Sequence, residues 1–192
     1  RQRVLAAAQE QFAKHGFSGT SLAAISQQSG ISDGLILYHF QSKRNLYRQV
    51  LESMADQYTQ VLAAARDSAS SPHEMMQQTM IAAFNFWKQD TSYQRISLWA
   101  YLEGETEYAE KEAVLTAGLA QSVAQLQQQG FLDDRFSPAI LLTMVIGPIH
   151  FWLRYREQFR SVLHMTQTSD ELDALFIDQL TQLVVNLLPH KE

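Results

Sequence analysis

An all-α fold is predicted, with a three-helix helix-turn-helix domain at the N-terminus and a six-helix domain behind it. Three features predict it. Apolar residues recur at three- and four-residue spacing along most of the chain, the period of helices that bury one face. No stretch alternates apolar and polar residues as a half-buried strand does. The periodic segments are also punctuated by Ser or Thr in front and Gly or Pro behind, the residues that start and stop helices.

Val4, Leu5, Ala8 and Phe12 share one face of the first helix, and Gly16 supplies a left-handed stop behind Lys14 and His15, whose basic side chains suit a helix C-terminus. Ser21 caps a helix over Leu22–Ser29 that Gly30 ends, and Ser32 caps another short helix reaching Tyr38. Helices this short, joined by so few residues, cannot pack side by side over a useful length. They cross steeply, which is the geometry of a helix-turn-helix. Ser42 opens a helix from Lys43 to Arg66, with Leu46, Val50, Met54, Val61 and Leu62 as its buried positions. Residues 67–72 form a polar loop. Met76, Met80, Phe84 and Trp87 stripe a helix over 73–90, and Ile96, Trp99 and Leu102 stripe a shorter one over 93–103. A long amphipathic helix from Glu107 to Gln129 closes at Gly130. Ser137-Pro138 opens a helix expected to reach 163 and to kink at Gly147-Pro148. Thr168-x-x-Glu171 has the spacing of a capping box and opens a last helix through Leu188, stopped by Pro189.

Composition narrows the chemistry. The 192 residues include no cysteine, which excludes disulfides, a thiolate nucleophile and a cysteine-ligated zinc, and agrees with a reducing cytoplasm. The longest apolar run, 139–153, is interrupted by Gly147, Pro148 and His150 and is too short to span a bilayer, so a cytoplasmic protein without membrane contact is expected. Arg1 stands where an initiator methionine is absent and no hydrophobic signal segment follows, so a longer chain with a basic arm upstream fits equally. His15, His39, His73, His150, His164 and His190 show no metal-ligand spacing. No glycine-rich phosphate loop or nucleophile elbow occurs. Glu103, Glu105, Glu107, Glu110 and Glu112 scatter around a helix junction and are expected to be a solvated acidic surface. Neither an enzyme nor a cofactor is expected.

The net charge is −5, but residues 1–48 hold six Lys/Arg against two carboxylates, while the remainder holds nine against eighteen. A basic domain over 1–48 is thus expected to dock an anionic partner, and 49–192 forms an acidic second domain.

The segment Thr20-Ser21-Leu22-Ala23-Ala24-Ile25-Ser26-Gln27-Gln28-Ser29-Gly30-Ile31-Ser32-Asp33-Gly34, continued by Tyr38-His39-Phe40-Gln41-Ser42-Lys43 and Leu46, closely resembles the signature of the TetR (tetracycline-repressor-like) regulators. The likeness is specific over residues 3–50 and rests on helix count and order beyond them. It implies a ligand-responsive repressor that binds operator DNA as a homodimer, is released by a small-molecule effector, and dimerises through the helices over 138–163 and 169–188. Leu172, Leu175, Phe176, Leu180, Leu183 and Val184 are numerous enough to cover an interface as well as a core. His39 and Lys43 resemble the family's phosphate clamps. Where the commonest pattern has tyrosine this chain has Leu37, and Tyr38 stands at the adjoining position.

The residues themselves point the same way. Small Ser32 and Gly34 let a recognition helix approach base edges, and Leu35 or Leu37 can touch a thymine methyl. Asp33 can accept from a cytosine amino group or simply favour the helix N-terminus; Ser21 can meet a phosphate, cap its helix, or both. The second domain is rich in aromatic residues, which are core or ligand site; Phe84, Trp87, Trp99 and Phe151, with Glu103 and His150 as polar anchors, are the candidate effector residues. The alternative, an all-helical scaffold that binds protein through the same N-terminal helices, remains open.

Overall fold

The capping side chains act where the sequence places them. Ser21 Oγ accepts the Ala24 N–H at 3.1 Å and Ser32 Oγ that of Leu35 at 3.4 Å. At the capping box, Thr168 Oγ1 accepts from Glu171 N at 3.2 Å while Glu171 Oε2 accepts from Thr168 N at 2.8 Å, so each satisfies a helix-start amide of the other. The computed structural model describes residues 1–185, which form nine helices and no strand. These are α1 (Gln2–Gly19), α2 (Leu22–Ser29), α3 (Asp33–Phe40), α4 (Lys43–Asp67), α5 (Pro72–Gln89), α6 (Ser92–Glu103), α7 (Thr106–Gln128), α8 (Pro138–Val162) and α9 (Ser169–Val185). The expected end of α9 at Leu188 and its stop at Pro189 lie outside the described residues.

Several expectations need adjusting. Gly16 breaks α1 with φ 72° and ψ −179°, but another helical turn runs on to Gly19. The helical assignment of α8 is continuous through Gly147-Pro148, although the proline forgoes one intrahelical hydrogen bond and crowds the carbonyl four residues back. On α6 the buried face is Tyr93, Ile96 and Ala100, and Leu102 is 65% exposed. Val61 of α4 is likewise exposed.

The chain divides into two compact units. The first comprises Arg1–Thr59 with Asp90–Leu115, the second Gln60–Gln89 with the residues from Thr116 onward. The first therefore takes in more than residues 1–48. Short helices cannot bury their apolar faces alone, and α6 completes their core: Phe12, Ile25, Ile36, Phe40, Leu46 and Tyr47 pack in one buried cluster with Tyr93 and Ile96.

In the second unit α5 contributes Met80, Phe84 and Trp87, α8 Leu141 and Ile149, and α9 Leu172, Leu180 and Val184 to the interior. An aromatic column links the three helices. Phe176 lies 6.1 Å from Phe84 and stacks on Trp152 at 4.8 Å with the planes 5° apart. Beside it Asp173, only 2% exposed, accepts from Trp152 Nε1 at 2.8 Å, from Arg156 Nη1 at 2.5 Å and from Lys88 Nζ at 3.0 Å. One buried carboxylate thus ties α9 to α8 and α5. Lys88 also reaches Asp170 at 2.7 Å, and its pKa is raised by hydrogen bonds to Asp170 and Asp173. Across α8, His150 packs on the Trp87 indole with ring centroids 4.1 Å apart. Burial, reinforced by the charge of Arg154, pushes the imidazole down to about 4, so it is neutral at physiological pH.

Two outcomes follow from this packing. Asp173→Ala leaves two cations and an indole N–H without their shared acceptor; because Lys88 and Arg156 stay partly solvated, the cost is about 2 to 3 kcal/mol of stability, measurable by urea unfolding at pH 7.5. The His150 pKa is lowered on folding, so the unfolded chain takes up a proton that the folded one refuses. Stability should fall by up to about 3 kcal/mol as the pH drops from 6.5 to 4, and His150→Phe should flatten that part of the profile.

Candidate nucleic-acid interface and effector residues

The helix-turn-helix is set by its turn. Gly30 adopts the left-handed conformation (φ 68°, ψ 23°) that ends α2, and its N–H bonds Ser26 O at 2.9 Å. Arg3 reaches back from α1 and donates to the Ser29 carbonyl at 2.7 Å. This satisfies an orphan acceptor at the end of α2 and fixes the start of the turn. At the far end of α3 a γ-turn follows, in which Gln41 has φ 66° and Ser42 N bonds Phe40 O at 2.7 Å.

The faces of α3 have opposite tasks. Ile36 and Phe40, four residues apart, are buried in the first unit's core, while Ser32, Asp33, Gly34, Leu35, Leu37, Tyr38 and His39 all point outward. Leu35 and Leu37 are more than 40% exposed and Tyr38 is 79% exposed, its ring set edge-on to His39 at 5.2 Å. A Cβ built on Gly34 meets nothing within 4 Å, and Gly34 has no positive φ, so the fold itself does not require glycine there. Ser21 is exposed at the start of α2. Lys43 is placed differently from the other expected contacts: its Nζ donates to the carbonyls of Phe17 at 2.8 Å and Thr20 at 2.9 Å.

The six candidate effector residues do not fall in one unit. Phe84, Trp87 and His150 belong to the second, where Trp87 packs on His150 and Phe84 lies against Phe176. Phe151, one position on, is 57% exposed and sits against Tyr155 and Phe159 along the outer side of α8. Trp99 and Glu103 belong to the first unit, against Gly16. There Glu103 accepts from the amides of Phe17 at 2.9 Å and Ser18 at 3.1 Å. Glu105 pairs with Arg44 at 2.9 Å. Neither carboxylate is the loosely solvated group expected of the acidic run, since each answers a donor far away in sequence; the side chains of Glu107 and Glu112 lie outside the described ones. The sequence reading missed Arg3, Arg95 and Asp173 for the same reason. Arg95 Nε donates to Ala13 O at 2.8 Å, and no local spacing signals a partner so distant in the chain. Among the described residues no cluster could hold a metal, and no helix is long and apolar enough to cross a membrane.

Comparison with known proteins agrees with this architecture. Residues 4–50 match the model of bacterial regulatory proteins of the tetR family, and residues 76–178, more than half of the chain, match that of the tetracyclin repressor-like C-terminal domain. Among curated relatives, the transcriptional regulator TtgR of Pseudomonas putida is 27% identical over 80% of each protein, and the transcriptional repressor BepR of Brucella suis is 23% identical over 85% of each. Among solved structures, a TetR family transcription regulator from Marinobacter aquaeolei superposes with a TM-score of 0.74 at 19% identity, covering 95% of this chain and 94% of its own. The FadR regulator of Bacillus subtilis, in complex with stearoyl-CoA, does so at 0.73 and 17%, covering 96% and 97%. These two share the fold with this chain. With its N-terminal helix-turn-helix, the outward face of α3 and both parts of the sequence matched, the chain belongs to the tetR family of bacterial regulatory proteins.

Proposed function

We propose that this chain is a homodimeric repressor that reads operator DNA through α3 and is released from it by a small apolar molecule held in the second unit. The observation that carries the DNA reading is the outer face of α3. A core-packed helix that shows solvent Leu35, Leu37 and Tyr38, with an unhindered glycine at position 34, has a surface without a purpose inside the fold. Base edges in a major groove give it one. Ser21, Ser32, Asp33 and His39 lie around that face as further contacts, and Lys43 borders it.

The dimer reading rests on α8. Ile140, Met144, Phe151, Tyr155 and Val162 are exposed along it at helical spacing, and Leu175 and Leu183 are exposed on α9. Gly147 lies on the same stripe with open space around it, so another helix can come close there. The domain boundary at residue 48 remains a useful division of labour, with DNA reading before it and effector binding and dimerisation after it.

For the effector, Phe84, Trp87 and His150 supply an apolar, aromatic setting with one neutral imidazole that can donate and accept a hydrogen bond. An uncharged or weakly polar molecule suits it. The stearoyl-CoA bound by the FadR relative indicates how far ligands of such folds can be lipid-like. Only an effector that binds the DNA-incompetent arrangement more tightly can act as an inducer.

Selection of duplexes from a random pool, followed by competition with unselected DNA, tests the reading. Enrichment of a pseudo-palindrome supports it; failure to bind any duplex at low salt favours the scaffold alternative. With the selected duplex in hand, Gly34→Ala should leave the protein as stable or stabilise it by about 0.5 kcal/mol, as expected for a helical glycine, while Gly34→Gln should lose more than about tenfold in affinity, or 1.4 kcal/mol. Met144→Glu with Phe151→Glu should turn a dimer into a monomer in multi-angle light scattering at micromolar concentration. A dimer that survives both changes places the interface elsewhere.

A further inference from the structure

Between the break at Gly16 and the cap at Ser21 lie four residues, a link held on its amide side and on its carbonyl side by different groups. On the amide side, the Glu103 carboxylate takes the N–H groups of Phe17 and Ser18 at 2.9 and 3.1 Å. These are the first amides after the break, which the helix itself leaves without partners. On the carbonyl side, Lys43 Nζ donates to Phe17 O and Thr20 O at 2.8 and 2.9 Å, and it lies 4.4 Å from the centroid of the Phe17 ring. The Thr20 hydroxyl donates to Gly16 O at 2.7 Å, and Arg95 anchors the preceding turn through Ala13 O. The fit around Gly16 is tight. A Cβ there would stand 2.6 Å from Glu103 Oε1 and 3.1 Å from Trp99 Cδ2, and the positive φ disfavours any other residue.

From this arrangement we infer that Lys43 and Glu103 are positioning residues for DNA binding: bracketing the 16–20 link, they fix where Ser21 and the N-terminus of α2 stand, and the Lys43 ammonium is directed inward instead of at a phosphate. Two of its three N–H groups are committed to carbonyls, and the aromatic face of Phe17 holds the charge in place. Only one N–H is left for any other acceptor, so a fuller phosphate contact would require leaving a carbonyl. The inference rests on the first unit being the DNA reader. It departs from the role that family resemblance assigns to this lysine.

The experiment compares the unmodified chain with Lys43→Met, Glu103→Gln and the double variant. It uses the duplex obtained by selection, a random-sequence duplex of equal length, and a series of salt concentrations, with circular dichroism confirming that each protein is folded. Each single change should weaken binding to the selected duplex by about tenfold or more and binding to the random duplex by clearly less, because a displaced α2 costs a backbone contact on either duplex but costs base-edge register only on the selected one, a split that partial unfolding does not produce. The slope of log affinity against log salt should be unchanged in Lys43→Met. The double variant should bind within about twofold of the weaker single one, because both side chains act on one link. In Glu103→Gln, hydrogen exchange of the Phe17 and Ser18 amides should accelerate at least tenfold in the free protein. If Lys43→Met does not fold, Lys43→Gln, which keeps a donor for one carbonyl and removes the charge, provides the same salt comparison. The proposal is overturned if the salt slope falls by about 2 for the dimer, the signature of one lost phosphate contact per protomer, or if Glu103→Gln binds the selected duplex as well as the unmodified chain. An unmodified chain that binds neither duplex at low salt overturns the DNA reading and this inference with it.

Discussion

At Gly16 the backbone takes a conformation that no other residue adopts without strain, and the carboxylate of Glu103 occupies the space a side chain would need. The rest of the N-terminal unit depends on this junction. It redirects the chain from α1 into α2, and the amides it exposes are answered by an ionised group from α6, the carbonyls by one from α4. Charged partners make short, strong hydrogen bonds to backbone groups. Without them the link would be a flexible tether, and a helix-turn-helix on a tether cannot hold its two reading elements at a fixed spacing. The cations of Lys43 and Arg44 each lie 4.4 Å from the centroid of the Phe17 ring, with Tyr47 beside it. Electrostatics and packing therefore fasten the same point.

The glycines divide by what they answer to. Gly16 and Gly30 carry positive φ and have close neighbours, a carboxylate in one case and the Arg3 guanidinium in the other. The fold accounts for both. Gly34 and Gly147 sit inside helices with negative φ and open space around them, where alanine would be the more stable choice. A helix that keeps such a residue gives up some stability, and nothing inside the fold requires it. Gly118 inside α7 is equally open, so open space alone does not mark a surface; what sets Gly34 and Gly147 apart is the exposed apolar side chains beside them, on α3 and on α8.

The second unit is organised by a different constraint. Burying Asp173 would be prohibitive alone, and it is tolerated because Trp152, Arg156 and Lys88 saturate its oxygens. That requirement brings α5, α8 and α9 to one place and orients the Phe84, Phe176 and Trp152 column beside it. His150 faces the opposite situation, a largely buried imidazole packed on Trp87, and with burial and the Arg154 charge both opposing protonation it stays neutral.

What the sequence determined by itself was everything governed by local rules. Helix starts at Ser21, Ser32 and Thr168 and the helix end at Gly30 are set by hydrogen bonds within four residues, and the buried stripe of α5 by a period. The helix-turn-helix could likewise be read from two short capped helices and a glycine, and its outward residues from the two buried positions, Ile36 and Phe40, that orient α3. Only the tertiary structure decided which distant groups meet. That Glu103 answers the amides of Phe17 and Ser18, that Lys43 turns inward, that α6 joins the N-terminal core, and that Trp99 and Phe151 part from Trp87 and His150 are all contacts between residues tens of positions apart. Composition and spacing carry no information about such pairs, because they are set by how whole helices pack and by the need of every buried charge and amide to find a partner.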